Sequence, residues 1–193
     1  MTANGIDLSN NNGEIDLASG FSGLDFVIAK ATQGLSFNDY TYNYYYKESH
    51  NLNKYFGAYH FADPSTSAAD NAAHFLEVVR PSSGTMLWLD YEEFLFDVED
   101  DIAWISGFMD EAAKLHKGIK IGLYSYLYGM TKLIEAGVRA PAYWLAYYNN
   151  TEETNPVMPD GTAWNVHQYE TFNNVDRNYS RQSVAQLVSI FTW

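Results

Sequence analysis

Short apolar segments alternate with longer amphipathic segments along most of the chain, and this alternation limits the possible folds more than any other feature. Short runs of roughly four to eight apolar or aromatic residues are typical of buried strands. We predict eight strands, at residues 5–9, 26–31, 56–62, 86–92, 119–125, 143–148, 164–169 and 175–179. Helical periodicity predicts helices at residues 38–53, 67–80, 100–117 and 127–136.

The order of these segments predicts how the strands pair. Strands that are separated by helices usually lie parallel in one sheet. No helix fits between the last two predicted strands, and 193 residues are fewer than the about 250 of an ideal eightfold barrel. We therefore predict an α/β fold, a flattened irregular TIM-like barrel of the type (β/α)5(β)3. No repeat or linker interrupts the chain, so we expect a single domain over residues 1–193.

Composition excludes several classes of function. The chain has no cysteine, which rules out disulfides, thiolate nucleophiles and cysteine-based zinc sites. A net charge of -13, with only 11 Lys and Arg residues, argues against binding to nucleic acid or to anionic membranes. No apolar run approaches the roughly 20 residues that span a bilayer, and the first residues do not resemble a signal peptide.

Two carboxylates follow each other on one face of the strand predicted at residues 86–92. Side chains alternate faces along a strand, so Trp88, Asp90 and Glu92 point to the same side. Barrel enzymes keep their catalytic groups at the carboxyl ends of the strands. A pair of inward carboxylates without an obligatory basic partner favours a shared proton and one raised pKa. This is the condition that a general acid requires.

Acidic residues also lie at the ends of the first and last predicted strands. These are Asp7 and Asp176, and the two strands are neighbours in a closed barrel. We expect Asp7, Asp90, Glu92 and Asp176 to surround one barrel mouth, with Lys30 as the nearest counter-ion. Each acidic residue alone also suits a helix cap or a turn.

Further side chains at the strand ends are suited to gripping a glycan, because aromatic faces stack on sugar rings. The candidates are Tyr59, Phe61, Tyr124, Trp144, Tyr147 and Gln168. Phe61 and Trp144 are equally well suited to the core, while Tyr59 and Tyr124 can form hydrogen bonds across the barrel.

Histidines raise the question of a metal site, since His, Asp and Glu at one mouth can bind a cation. Strand alternation turns His60 towards a helix, and His167 is the second candidate. We predict no metal and no cofactor. Gly-x-Ser-x-Gly, phosphate-binding glycine loops and His-Glu-x-x-His are absent, which disfavours esterase, nucleotide and zinc-protease chemistry.

Taken together, these segments resemble glycoside hydrolase family 25, the Chalaropsis-type muramidases (lysozymes) that are common among phage endolysins. The matching segments run from end to end: Gly-Ile-Asp-Leu-Ser at 5–9, Phe-Val-Ile-Ala-Lys-Ala-Thr-Gln-Gly at 26–34, Gly-Ala-Tyr-His-Phe at 57–61, Leu-Asp-Tyr-Glu at 89–92, Tyr-Ser at 124–125, Trp-Leu-Ala-Tyr at 144–147 and Val-Asp-x-Asn at 175–178.

The resemblance implies a barrel of eight strands and five helices that cleaves the β-1,4 bond between N-acetylmuramic acid and N-acetylglucosamine in bacterial peptidoglycan. It assigns Glu92 as the general acid, Asp90 as its partner carboxylate, and Asp7 and Asp176 as the other acidic site residues. Gln33 departs from the family, in which Glu is common, and this departure puts the polar network near Lys30 in question.

The setting that we expect follows from the resemblance and the charge. We expect a monomeric catalytic domain of a phage endolysin that acts on the bacterial cell wall after release through a membrane lesion. Since an acidic surface is not attracted to anionic wall polymers, a separate wall-binding module is expected.

The sequence leaves the mechanism and some alternatives open. Retaining and inverting glycosidases differ in carboxyl separation, about 5 to 5.5 Å against about 6.5 to 9.5 Å, and the sequence does not measure it. We favour catalysis by the substrate's own 2-acetamido group, with Asp90 orienting it. The alternatives are a chitinase-like glycosidase, whose longer acidic strand motif is absent, an inactive glycan-binding barrel, and a metal-dependent wall deacetylase.

Overall fold

A computed structural model describes residues 2–21, 23–95, 97–151 and 156–193. Its strands are β1 (Ala3–Leu8), β2 (Phe26–Gln33), β3 (Phe37–Asn38), β4 (Tyr55–Phe61), β5 (Met86–Asp90), β6 (Ile121–Tyr126), β7 (Tyr143–Ala146), β8 (Val166–Phe172) and β9 (Val175–Ser180). Its helices are α1 (Leu17–Gly20), α2 (Tyr42–Asn51), α3 (Ala68–Val79), α4 (Val98–Leu115), α5 (Leu127–Glu135) and α6 (Val184–Ser189), with a short 3-10 turn at Pro159–Gly161.

Eight of these strands close into a barrel, as predicted. The strand order is β1-β9-β8-β7-β6-β5-β4-β2, and β1 pairs with β2 to close it, while β3 adds to the outer side of β2. The pairs from β1–β2 round to β7–β8 are parallel, and β9 is antiparallel to both of its neighbours. The (β/α)5(β)3 prediction is therefore confirmed, with β3 and α6 as additions.

The first five barrel strands are each followed by a helix because the intervening segments are amphipathic. In α4, Ile105, Phe108 and Ala112 form a buried stripe against the sheet. Three acidic residues in the first turn and Lys114 in the last suit the helix dipole. The predicted helix at residues 38–53 begins later, at Tyr42, because Asn38 pairs with Thr32 in the β2–β3 ladder.

Two layers of apolar side chains hold the barrel. The outer layer lies between the strands and the helices, and the inner layer fills the barrel with Phe26, Ile28, Met86, Trp88, Trp144 and Val166. The segment after β9 joins this inner layer, since Leu187 and Phe191 are fully buried in it and the Phe191 ring lies 5.1 Å from that of Trp88.

Some predicted strand ends were wrong by up to three residues, and one difference concerns the site. The strand predicted to reach Glu92 ends at Asp90, so Glu92 lies in the loop that follows β5. The strand predicted to reach Tyr148 ends at Ala146. In the described part of the chain, no helix is long and apolar enough to cross a membrane.

Candidate active site

A cleft of about 440 Å³ opens at the carboxyl ends of the barrel strands. It contains every predicted site residue except Tyr147. Asp7, Lys30, Tyr59, Phe61, Asp90, Glu92, Tyr124, Trp144, Gln168 and Asp176 line it, together with Ser9, Asn11, Asn12, Tyr148, Thr171 and Asn174, which the sequence analysis did not single out.

Sheet register is what brings these side chains together. Tyr59 lies beside Lys30 in the β2–β4 pair, Asp90 beside Tyr124 in the β5–β6 pair, and Tyr124 beside Trp144 in the β6–β7 pair. These neighbours sit at the same level of the barrel, so their side chains reach one space. The prediction that the first and last barrel strands are neighbours is confirmed, because Asp7 pairs directly with Asp176.

Asp90 is almost fully buried at the end of β5, and its Oδ1 accepts no hydrogen bond from any described residue. Burial and the neighbouring Glu92 carboxylate raise the pKa of Asp90 well above its ordinary value, while the Lys30 ammonium opposes them. Taking a charge out of water without pairing it destabilises the ionised form. Asp90 therefore lines the cleft as a carboxyl group in which one oxygen is buried and has no partner among the described residues.

Glu92 is half-buried, and it borders the same cleft from the loop after β5. Burial raises the pKa of Glu92 above its ordinary value, and the Tyr124 hydroxyl lowers it again by a smaller amount. A carboxyl group with a raised pKa keeps its proton at a higher pH than an ordinary glutamate, which suits a proton donor.

Asp7 is buried on the opposite wall of the cleft. Its Oδ2 accepts hydrogen bonds from Gln168 Nε2 at 2.8 Å and from Asn178 Nδ2 at 2.7 Å. Burial and the Asp176 carboxylate raise the pKa of Asp7 to about 8, against the two amide hydrogen bonds, which lower it.

Lys30 is the one cationic residue among the described residues that line the cleft. Its ammonium donates to Gln33 Oε1 at 2.7 Å and lies 4.8 Å from the centre of the Phe61 ring. No carboxylate of the described residues is within ion-pair distance of it, and burial lowers the pKa of Lys30. Gln33 therefore contacts Lys30 through an amide oxygen, at the position where the family commonly has a carboxylate.

Tyr147 does not line the cleft, whereas Tyr148 does. The physical reason is strand alternation: Trp144 and Ala146 belong to the inner layer, so the next residue faces outward. The Tyr147 ring stacks on His167 instead, with the ring centres 6.4 Å apart.

The histidines lie outside the cleft. His60 faces α3 as predicted: its Nε2 pairs with Asn71 Oδ1 at 2.9 Å and its Nδ1 with Thr32 Oγ1 at 2.7 Å. His167 Nε2 pairs with the Tyr147 carbonyl. Within the described ranges, no group of three or more His, Cys, Asp or Glu side chains is arranged to hold a metal ion.

The β8–β9 hairpin supplies the residues that sequence reasoning missed on one side of the cleft. Its turn contains Asn173 and Asn174, both with positive φ, which is typical of a tight two-residue hairpin. The hairpin carries Thr171 and Asn174 to the cleft, beside the predicted Asp176. The Asn-Asn pair between two apolar segments was a signal for this turn, although not for its place beside the site.

Comparison with known proteins decides the family. The model of the family described as "Glycosyl hydrolases family 25" matches residues 6–177. The chain belongs to glycosyl hydrolase family 25. The matched range includes all of the described residues that line the cleft, from Asp7 to Asp176, and leaves out the end of β9 at Ser180.

A curated relative of this family 25 chain is an "N,O-diacetylmuramidase" from Arthroderma benhamiae. The two are 28% identical over 170 residues, which are 80% of this chain and 65% of that protein. The chain therefore spans less than two thirds of the length of this relative.

Solved structures share the fold. A family 25 lysozyme from Aspergillus fumigatus superimposes with a TM-score of 0.84 at 21% identity, over 100% of each chain. The catalytic domain of the endolysin ply40, from bacteriophage P40 of Listeria monocytogenes, superimposes with a TM-score of 0.76 at 19% identity, over 98% of each chain. These likenesses confirm the barrel as the family fold.

Proposed function

We propose that this family 25 protein is an N-acetylmuramidase that cleaves the β-1,4 bond between N-acetylmuramic acid and N-acetylglucosamine in peptidoglycan. The observation that carries the proposal is the pair Asp90 and Glu92 in one cleft, with Asp90 Oδ1 buried and without a partner among the described residues. Family membership and the name of the fungal relative support the choice of substrate.

Glu92 acts as the general acid in this proposal. Its proton passes to the glycosidic oxygen as the bond from that oxygen to the anomeric carbon breaks. Burial raises the pKa of Glu92, which supports this role because an acid must still hold its proton at the working pH.

Asp90 orients the 2-acetamido group of the sugar whose anomeric carbon reacts. The acetamido N–H donates to the Asp90 carboxyl group, and the acetamido carbonyl oxygen attacks the anomeric carbon and forms a bond to it. Water then opens the resulting ring intermediate and gives a proton back to the Glu92 carboxylate. The atoms and charges balance without a second nucleophile.

The remaining lining residues bind the glycan in this proposal. Tyr59, Phe61, Tyr124 and Trp144 offer ring faces to the sugars, and Tyr148 takes the place that we had assigned to Tyr147. Lys30 is positioned to attract a carboxylate of the muramic acid unit.

The acid assignment is tested by wall lysis. We expect Glu92→Gln to lower the rate of turbidity loss from purified walls by about 10²-fold or more, since it removes the proton donor. Glu93→Gln is the matched control, because Glu93 is an exposed neighbour that does not line the cleft. Equal clearing by the parent and Glu92→Gln means that another residue is the acid.

The bond that is cleaved is tested on the products. Mass spectrometry of fragments after borohydride reduction should show reduced muramic acid at the new ends. Reduced glucosamine or a freed stem peptide contradicts the proposal. Cleavage of chitin oligosaccharides in preference to walls favours the chitinase-like alternative, binding without cleavage favours the inactive barrel, and loss of activity in EDTA favours a metal-dependent deacetylase.

We further propose that residues 1–193 are one catalytic domain of a phage endolysin that acts on the wall with the help of a separate wall-binding module. The likeness in fold to the Listeria phage endolysin supports this setting. Co-sedimentation of the chain with purified walls tests it: tight binding by the chain alone makes a separate module unnecessary.

A further inference from the structure

Asp7 is held by one oxygen atom only. Both hydrogen bonds that its carboxyl group accepts from described residues, from Gln168 Nε2 and Asn178 Nδ2, go to Oδ2. Asn178 is 1% exposed and Gln168 is 3% exposed, so the two amides do not exchange these contacts for water. The neighbouring oxygen, Oδ1, belongs to a side chain that lines the cleft.

Each amide also contacts an aromatic side chain, and for Asn178 this contact determines the orientation of the amide. Trp144 Nε1 donates to Asn178 Oδ1 at 2.7 Å, and an indole N–H can only donate. The oxygen of Asn178 must therefore face Trp144, which leaves its NH₂ group for Asp7. The Tyr124 hydroxyl donates to Gln168 Oε1 at 2.8 Å, and the Gln168 NH₂ group faces Asp7. A phenol hydroxyl can also accept a hydrogen bond, so only the orientation of Asn178 is determined by a partner that can only donate.

A proton on Oδ2 conflicts with this arrangement, because it would meet two N–H donors and no acceptor. We propose that Asn178 and Gln168 are positioning residues, an amide clamp that holds Asp7 through Oδ2 and leaves Oδ1 to carry the proton and to contact the substrate. The inference deepens the proposed muramidase function and rests on it only for the identity of the substrate. With its proton on Oδ1, Asp7 donates a hydrogen bond to a sugar hydroxyl or carbonyl oxygen.

The charges around Asp7 favour the protonated form. Asp176 lies directly opposite on β9, and Glu92 and Asp90 face Asp7 across the cleft. The hydroxyls of Tyr59, Tyr124 and Tyr148 are also close enough to interact with it, and the cation in the same cleft is Lys30. Burial and Asp176 raise the pKa of Asp7 to about 8, so the group takes up its proton near neutral pH.

The clamp is tested by ¹³C NMR titration of the Asp7 carboxyl, whose signal is assigned by its loss in Asp7→Asn. In Asn178→Ala the pKa of Asp7 should rise by about one pH unit, because one donor to the carboxylate is gone. Trp144→Phe and Tyr124→Phe each remove the donor that contacts one of the two amides but keep the amide itself. We expect smaller increases in the pKa of Asp7 in these two variants. If Asn178→Ala does not fold, these two variants carry the test.

Asn71→Ala is the matched control. Asn71 is a fully buried asparagine that pairs with His60 on the helix side and does not line the cleft. If the pKa of Asp7 in the clamp variants equals its pKa in the parent and in Asn71→Ala, the inference is overturned.

The site of the proton is tested on the Trp144 indole N–H signal in the parent protein. With the proton on Oδ1, the bond from Trp144 to Asn178 persists while Asp7 titrates, and the indole signal keeps its hydrogen-bonded shift. Loss of that shift together with Asp7 titration means that Asn178 turns over and the proton lies on Oδ2. Neither measurement uses activity, so failure of wall lysis refutes the proposed function alone and leaves this test in place.

Discussion

At the scale of single residues, the cleft is organised by how each carboxyl group is paired. Asp7 has two amide donors, Asp90 has an oxygen without a described partner, and Glu92 is half-buried with the Tyr124 hydroxyl near it. Groups of the same chemical type therefore have different environments. Hydrogen bonding and burial, and not residue type, separate them.

In the proposed mechanism, the pH dependence of catalysis follows from the carboxyl group of Glu92. The protonated form of a general acid is lost as the pH rises through its pKa. Because burial raises the pKa of Glu92, the alkaline limb of kcat/KM should lie at a higher pH than the ordinary pKa of glutamate. Removing the hydroxyl that lowers this pKa, in Tyr124→Phe, should move the limb to higher pH by about one pH unit or less.

The measurement is kcat/KM against pH on soluble glycan fragments. Tyr128→Phe serves as the control, because Tyr128 is exposed on α5 and is absent from the cleft. Movement of the alkaline limb to lower pH in Tyr124→Phe contradicts the prediction.

Asp7 should lower the stability of the protein at alkaline pH. Its pKa is about 8 in the folded protein and 3.8 ordinarily, so the folded state holds the proton more tightly and stability falls as the pH rises between those values. Asp7→Asn has no carboxyl group to ionise at this position. We therefore expect its free energy of unfolding to exceed that of the parent by about 1 to 2 kcal/mol at pH 9.

Urea unfolding at pH 5 and pH 9 checks this expectation. The advantage of Asp7→Asn should be larger at pH 9, whereas the exposed control Asp70→Asn should show no such widening. An advantage that shrinks as the pH rises would falsify the linkage.

At the scale of elements, close packing inside the barrel depends on glycines in the strands. A Cβ atom at Gly122 of β6 would lie 2.4 Å from the Trp88 ring, and one at Gly5 of β1 would lie 2.2 Å from the Phe26 ring. These strands therefore leave room for large rings that fill the interior below the cleft.

Gly122→Ala should accordingly lower the free energy of unfolding by about 1 to 3 kcal/mol through overpacking. Gly107→Ala on α4 is the comparison, since its Cβ would meet Ala68 at an ordinary 3.4 Å and alanine favours a helix by about 1 kcal/mol. Thermal unfolding of both variants decides: equal melting temperatures for the two would mean that the Trp88 ring gives way at little cost.

The C-terminal segment has a structural task that is separate from the site. The backbone N–H of Gly84, just before β5, donates to the Phe191 carbonyl, so this segment lies near the start of the strand whose other end carries Asp90. α6 begins with a capping box between Ser183 and Gln186.

Phe191→Ala should cost about 3 to 5 kcal/mol of stability, because it opens a cavity against Trp88. Phe172→Ala, which removes a half-exposed ring, should cost much less. Chemical denaturation measures both. At a temperature where it is folded, Phe191→Ala should keep the parent's activity, and a large loss there would link α6 to the cleft.

At the scale of the whole molecule, net charge affects how the chain meets the bacterial wall that we propose as its substrate. A charge of -13 repels anionic wall polymers over about one Debye length, which is about 8 to 10 Å at physiological salt. Charge alone therefore weakens the approach of the cleft to this proposed substrate.

Binding of the chain to anionic walls should strengthen as salt is added, because screening removes this repulsion. Co-sedimentation with purified walls across a salt series measures it, and walls stripped of anionic polymers are the control. Binding that weakens with salt would indicate a cationic contact surface that the net charge conceals.

Much of the fold was predictable from local patterns. The alternation of strands and helices identified the barrel, and strand alternation placed Asp90 inward and His60 outward, because both depend only on neighbours along the chain. The errors arose where local pattern is weak: α1 has four residues, β3 has two, and the predicted strand end at Glu92 lies in a loop.

Sequence by itself determined the barrel class, the absence of thiol chemistry, and which acidic residues stand at strand ends. Only the tertiary structure decided that Asp7 pairs with Asp176, that Tyr148 and not Tyr147 reaches the cleft, and that Asn178 holds Asp7. The physical reason is distance along the chain: Asp7 and Asn178 are 171 residues apart, and barrel closure and strand register bring them within 2.7 Å.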